Sequence, residues 1–337
     1  MELRVFESPG QEWDEFASRY TDLVFYQSVW SRVLKEGLGG QPLYFYLREG
    51  GEIVAGLPGV SLNFKIFKIL YASIPYGNMI GEMKYFRVFM EYLEREFIRR
   101  GIHQVRIVDS PFWEKRDPDS NYREYENICT LIDLRNMDEG RLLKSYSHYV
   151  RRDIKRAQKH GIEIHKGNSK EDLESLYQLY LKAMERNLAP AKYPFQFVMA
   201  LGNFLMTTNR GALLIARLNQ TPVAGILLIH SNSSTHAYLA GSDSKFLKFY
   251  PNKFLIHRSL VESIVCGHQV FDFMGSEKED ENLIRFKNLW GGRPNTMTTY
   301  VKDYNPLRCW IWDKTRSFIN TPMGSKLTRM IRSKILR

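Results

Sequence analysis

The chain carries a net charge of +11, and most of it lies in two segments. Residues 141–160 hold seven Lys or Arg against one Asp, residues 302–337 hold nine against two, and the remainder sums to −2. Such local density is the chemistry of a polyanion site: nucleic acid, a nucleotide, or anionic lipid headgroups. In the first segment Leu143, Tyr146, Val150, Ile154 and Ala157 recur at helical spacing, and Gly161 supplies a stop, which predicts one basic helix. Its other side presents Lys144, His148, Arg151, Arg152, Lys155 and Lys159. One aspartate cannot balance that stripe, and like charges four residues apart cost stability, so an anionic partner is expected. From Pro322, the residues Met323, Leu327, Met330, Ile331 and Ile335 oppose Lys326, Arg329 and Arg332, a basic amphipathic helix that would lie on a membrane surface or dock on the first half.

Two carboxylates have positions that could matter chemically. Asp109 follows the predicted strand Val105–Val108, at the carboxyl end where α/β proteins bind ligands. Asp272, in Phe271-Asp272-Phe273-Met274-Gly275, alternates with aromatic residues and so faces away from them. It could take a proton from an attacking ammonium, whose pKa is about 10 for a lysine side chain, or serve as a structural hydrogen-bond acceptor. Lys287, in a short segment ending at Gly291-Gly292, reads from pattern alone as a surface lysine. The eight His show no HExxH or Cys/His ligand spacing, so no metal is expected, and no Gly-x-Ser-x-Gly elbow marks a nucleophile. Cys129, Cys266 and Cys309 are far apart and read as core residues of a reducing compartment. Neither a signal peptide nor a membrane-spanning stretch is expected.

The elements that must position these groups occur twice. Arg48, a turn through Glu52, then Val54-Ala55-Gly56-Leu57 matches Arg217, a turn through Thr221, then Val223-Ala224-Gly225-Ile226, an offset of 169. Helices ending at Gly101 and Gly267 lead into His103-Gln104-Val105 and His268-Gln269-Val270, an offset of 165. Two matches in one order predict internal duplication: two α/β halves with a cleft between them. Hairpins are predicted at Leu43–Gly59 and Ala212–His230, and helices at Gln11–Tyr20, Ser28–Glu36, Phe86–Phe97, Asp172–Asn187 and Pro251–Gly267. The expected division is residues 1–135 with 303–337, and residues 136–302.

The segments Ser147-His148-Tyr149-Val150-Arg151-Arg152-Asp153-Ile154-Lys155-Arg156-Ala157, Gly161-Ile162-Glu163-Ile164, Ala240-Gly241-Ser242, Phe271-Asp272-Phe273-Met274-Gly275 and Arg285-Phe286-Lys287 resemble the Fem-type peptidyltransferases. These are GNAT-related acyltransferases of two domains, and the resemblance extends over almost the whole chain, including Gln27-Ser28-Val29-Trp30. It implies an α/β (α+β) fold of two GNAT-like domains related by duplication, with mixed sheets flanked by helices and a C-terminal tail returning to the first domain. It also implies transfer of an aminoacyl or acyl group to an amine of a cell-envelope precursor, from aminoacyl-tRNA and without a separate cofactor. Lys287 with Phe286 matches the family's Phe-Lys pair, which makes Lys287 the expected cation for the developing oxyanion. Asp109 matches an acceptor-site aspartate, and Arg32 and Lys192 fall where the family places cations around acceptor phosphates. The two acceptor tyrosines of the peptidoglycan branch align with Gln196 and Leu239, with Tyr193 and Tyr238 nearby, which weakens the match to a nucleotide-muramyl acceptor. Lys144, Arg151, Arg152, Lys155 and Lys159 would meet the tRNA backbone, and binding would be salt-sensitive. The expected location is the cytoplasm, at or near the inner face of the membrane. Two alternatives stand beside this reading. One is an acyl-CoA-dependent N-acyltransferase of surface-polysaccharide synthesis, although no Arg/Gln-x-x-Gly-x-Gly/Ala pyrophosphate loop is found. The other is a noncatalytic protein that binds RNA or a membrane surface.

Overall fold

A computed structural model describes residues 1–113, 115–118 and 121–319; the basic segment predicted from Pro322 lies outside them. The first half runs β1 (Glu2–Phe6), α1 (Gln11–Tyr20), α2 (Ser28–Leu38), β2 (Gln41–Glu49), β3 (Glu52–Phe64), β4 (Phe67–Tyr71), the two-residue β5 (Ile80–Gly81), α3 (Phe86–Arg99), β6 (Gln104–Val108) and β7 (Arg123–Asp133). Helices α4 (Glu139–Ser145) and α5 (His148–Lys159) join it to the second half. There the order recurs: β8 (Ile162–Gly167), α6 (Lys170–Arg186), α7 (Phe195–Thr208), β9 (Gly211–Leu218), β10 (Thr221–His230), β11 (Ser234–Ser242), α8 (Pro251–Val265), β12 (Val270–Glu277), α9 (Glu281–Asn288), β13 (Arg293–Asp303) and α10 (Pro306–Ile319). Apart from β5 and α9, each half is strand, two helices, three antiparallel strands, helix, two strands. The duplication predicted from two short repeats therefore extends over the elements from β1 to β7 and from β8 to β13.

The strands form one mixed sheet in the order β1-β2-β3-β4-β6-β13-β7-β12-β11-β10-β9-β8, with β5 beside β3. Within each half the last strand leaves its own neighbour. β7 pairs with β12 of the second half, β13 pairs with β6 of the first, and β13 and β7 pair antiparallel from Arg293↔Leu131 to Val301↔Arg123. This exchange locks the halves into one sheet, because neither can complete its ladder alone. After β13, α10 lies against β4, with Cys309 buried beside Phe67 and Ile69.

Local chemistry accounts for most boundaries. Ser169 and Asp172 close a capping box at the start of α6, and Pro251 opens α8, which stops before Gly267 at φ 76°. Helix α7 carries no predicted pattern because it is apolar nearly all round: it is covered by α2 on one side and α6 on another. The close crossing of α2 on α7 depends on Gly37, where a Cβ would lie 2.6 Å from a Phe197 ring carbon. The single basic helix predicted over 141–160 is instead two. Ser147 is extended and its hydroxyl accepts the Val150 N–H, so it caps α5 and breaks the chain after α4; Leu142 is the fully buried residue of α4, and Leu143 is only partly buried. Cys129 and Cys309 are buried as expected, but Cys266, at the end of α8, is exposed.

Candidate active site

Each half has one parallel pair near its centre. β4 pairs with β6 over Ile69↔Gln104 to Tyr71↔Arg106, and β11 pairs with β12 over Ser234↔Val270 to His236↔Asp272. Past these short ladders the strands part at their carboxyl ends. In the first half the gap is filled by the chain itself: the Ala72 N–H donates to Arg106 O and the Gly77 N–H to Val108 O. The fit admits only glycine, since a Cβ on Gly77 would lie 1.3 Å from Ala72 O. In the second half β11 stays with β10 to Ser242 and β12 stays with β7 to Glu277, so the two diverge. Ala240 and Gly275 are exposed along the diverging strands, and a bulge between Asp272 and Gly275 holds Met274 at φ 63°.

Asp272 is fully buried beneath this opening and accepts four hydrogen bonds. Tyr76 Oη donates to Oδ2 at 2.8 Å, His236 Nδ1 lies 2.8 Å from the same oxygen, Cys129 Sγ donates to Oδ1 at 3.0 Å and the Met274 N–H at 2.7 Å. A carboxylate only accepts, so the Nδ1 of His236 carries the proton, and its Nε2 faces Ser231 Oγ at 2.9 Å and Ser234 Oγ at 3.1 Å. Burial alone would raise the Asp272 pKa, but the His236 ring, the thiol and the Met274 N–H bring it below the ordinary carboxylate value. The group stays ionised and saturated with donors, which suits a fixed anchor better than a proton shuttle.

Lys287 is not on the surface. It is 6% exposed and reaches from α9 to the β12 bulge, donating to Met274 O at 2.8 Å and to Ser276 Oγ at 2.7 Å. Burial pushes its pKa down to about 8, an effect only partly offset by negative charge nearby. An ammonium has three N–H donors, and two are used among the described residues, which leaves one for an oxygen arriving beside the bulge. Its neighbour Phe286 turns the other way and packs among the apolar residues around Trp290, 6.4 Å between ring centres. Lys287 and Asp272 are thus brought together across one bulge, while Phe286 contributes packing.

Asp109 is also buried and saturated, by donors that are different in kind. It accepts from Asn78 Nδ2, Trp113 Nε1 and the backbone N–H groups of Ser110 and Arg116, at 2.8–3.1 Å. It therefore ties Ser110, Trp113 and Arg116 to the end of β6. Arg32 on α2 and Lys192 before α7 are exposed, and the Lys192 ammonium lies 5.3 Å from the Tyr193 ring centre. Tyr193 stacks on Phe197 at 4.7 Å, and the Tyr238 ring contacts Trp30 at 5.4 Å, which joins the halves through aromatic packing. The Tyr238 hydroxyl is buried with no hydrogen-bond partner among the described residues.

On α5 the basic side divides by role. Arg151 donates to the carbonyls of Leu143, Lys144 and Tyr146 and so caps α4; Arg152 pairs with buried Asp153 and lies over Tyr149. Lys155 and Lys159, and Lys144 on α4, are exposed with no ion pair among the described residues. His148, Arg151, Arg152, Lys155, Arg156 and Lys159 line an open groove of about 410 Å³. Tyr76, Cys129, His236 and Ser276 were not legible as site residues. Their partners lie up to 196 positions away, and no local spacing marks them.

Residues 144–288 match the family model for the acetyltransferase (GNAT) domain. No curated protein matches the sequence. Among solved structures, FemX is 13% identical, with a TM-score of 0.66 over 92% of this chain and 100% of that one. A tandem GNAT protein from the clavulanic acid biosynthesis pathway is 9% identical, with a TM-score of 0.62 over 90% and 99%. The C-terminal domain of a proposed lysylphosphatidylglycerol synthetase from Agrobacterium fabrum is 14% identical, with a TM-score of 0.59 over 90% and 96%. At such identities the likeness is one of fold. The acetyltransferase match sets aside the noncatalytic reading, and no helix among the described residues is long and apolar enough to cross a membrane. Residues 144–288 form an acyltransferase domain of the GNAT type, and the chain has the duplicated fold found in FemX and in the tandem GNAT protein.

Proposed function

We propose that the chain transfers an aminoacyl group from aminoacyl-tRNA to an amine of a nucleotide- or lipid-linked envelope precursor. The acyl group enters the opening between β11 and β12, and the free N–H of Lys287 receives its carbonyl oxygen. The amine nitrogen attacks the ester carbon, a C–N bond forms, the C–O bond to the ribose breaks, and the amine proton ends on the leaving hydroxyl. Negative charge develops on the carbonyl oxygen, and a fixed cation there lowers the barrier by about 3–4 kcal/mol. Asp272 holds the bulge that carries the Met274 carbonyl, and so holds Lys287. No separate cofactor is needed, because the acyl group arrives activated, and a tRNA donor places the reaction in the cytoplasm.

The buried Lys287 with one unspent donor carries this reading. The groove on α5 supports a phosphate-rich donor, and FemX and the proposed lysylphosphatidylglycerol synthetase share the fold. Arg32, Lys192, Tyr193 and Tyr238 are the proposed acceptor residues, and Asp109 fixes the chain that carries Trp113 and Arg116. An acyl-CoA donor is the second reading, favoured by the tandem GNAT neighbour. Purified protein is incubated with an envelope-precursor extract and either charged, labelled tRNA or labelled acyl-CoA. Label should move from tRNA; movement from acyl-CoA alone would replace the donor, and no movement from either would overturn the reading.

A further inference from the structure

The outer side of α10 has the wrong character for a helix that faces water. Its inner side is conventional: Cys309 is buried, and Trp312 stacks between Phe64 at 4.6 Å and Phe67 at 4.9 Å. Opposite that seam Leu307 is 67% exposed, Trp310 58% and Ile311 37%. Beside them is the turn between β3 and β4, with Phe64 and Ile66 exposed, and Arg308 Nη1 donates to Ile66 O at 2.9 Å, which fastens turn to helix. Four large apolar side chains from two fastened elements, Leu307, Trp310, Ile311 and Ile66, make a patch, where scattered surface residues would need no explanation.

Cations border the patch, with Asp313 the acid on the same helix. Lys65 sits at the turn between Phe64 and Ile66, Arg308 bridges the elements, and the Lys314 ammonium lies 6.0 Å from the Trp310 ring centre. The sequence from 302 to 337 carries a net +7, a sum that includes Lys326, Arg329, Arg332, Lys334 and Arg337, and no acid follows Asp313. Trp with aliphatic residues inside a basic rim fits the boundary between headgroups and acyl chains of an anionic bilayer. A protein partner would need a complementary acidic rim, and a second copy of this chain would set like charges face to face.

We infer that α10 and the β3–β4 turn form a docking surface for an anionic lipid bilayer, with Leu307, Trp310, Ile311 and Ile66 entering the interface. This surface is separate from the opening beside Lys287 and from the groove on α5, so the inference holds whichever donor is used.

The test is sedimentation of the full chain with vesicles of phosphatidylcholine alone, or of phosphatidylcholine with 30% phosphatidylglycerol as about one lipid in three. Wild type should bind the anionic vesicles at least tenfold more tightly than the neutral ones. L307S/W310S/I311S should lose at least tenfold of that binding while keeping its thermal midpoint and its solution mass. W310S alone should show part of the loss, which serves if the triple variant does not fold. Equal binding by wild type and variants would overturn the inference in favour of the α5 groove. Absence of wild-type binding would overturn it outright, as would a wild-type dimer that the triple variant breaks.

Discussion

The two halves share one strand order and differ at the carboxyl ends of their parallel pairs. In the first half Ala72 to Gly77 fold back against β6 and close the gap; at the matching place in the second half, Ala237 to Ser242 continue as strand and leave it open. Pro75 makes the difference local, since it lacks the N–H that a continuing ladder would need. The residues that follow the central strand differ too. Asp109 gathers loop N–H groups and fixes a loop, whereas at the same offset of 165 Met274 offers its carbonyl to Lys287. The closed half still serves the open one, because its returning chain delivers Tyr76 to Asp272. Duplication has left one half as platform and the other as site, joined by exchanged strands.

The comparison can be broken at the shared carboxylate. Asp272→Ala leaves His236, Tyr76 and the Met274 N–H buried without their acceptor, and should cost roughly 3 kcal/mol in denaturant unfolding with loss of transfer. A change below about 1 kcal/mol would mean that the network does not hold the halves together.

Titration sharpens the division next. Lys287, with its pKa near 8, must be charged to stabilise an oxyanion, so activity should fall as pH rises through about 8, approaching tenfold per unit. Lys287→Arg stays charged, and any activity it keeps should lack that descending limb in the pH–rate profile. A limb rising through the same pH would assign Lys287 as a base instead.

Tyr76→Phe removes one of the two hydrogen bonds the closed half gives Asp272, the other coming from Cys129, and should cost about 1 kcal/mol with a modest loss of transfer. An unchanged transfer rate would make the platform's role purely structural. The smallest effect is expected outside the pair: Lys155→Ala with Lys159→Ala should weaken binding of tRNA a few-fold and flatten its dependence on salt, without altering stability.

Much of the fold was legible because its punctuation is local. Pro251 and Gly267 and the Glu49-Gly50-Gly51-Glu52 turn each act within a few residues. Helix α7 was not, because burial on several sides erases amphipathic period. Strand β13 begins Arg293-Pro294-Asn295-Thr296 and earns its place by pairing with strands nearly two hundred residues earlier, which no window can see. The break at Ser147 could have been read as a cap, but the apolar spacing ran through it. The site divides in the same way. Asp272 and Lys287 were singled out, one from its alternation and the other from resemblance, whereas their burial and the partners Tyr76, Cys129 and His236 exist only through topology.

The most direct test of the central claim is single-turnover transfer by Lys287→Met, a substitution that keeps length and apolar packing. Removing one donor to the oxyanion should slow transfer by about 10²–10³-fold. Because a buried charge is also removed, the thermal midpoint should not fall. A folded variant that transfers at the wild-type rate would contradict the assignment of Lys287 and, with it, of the open half as the site.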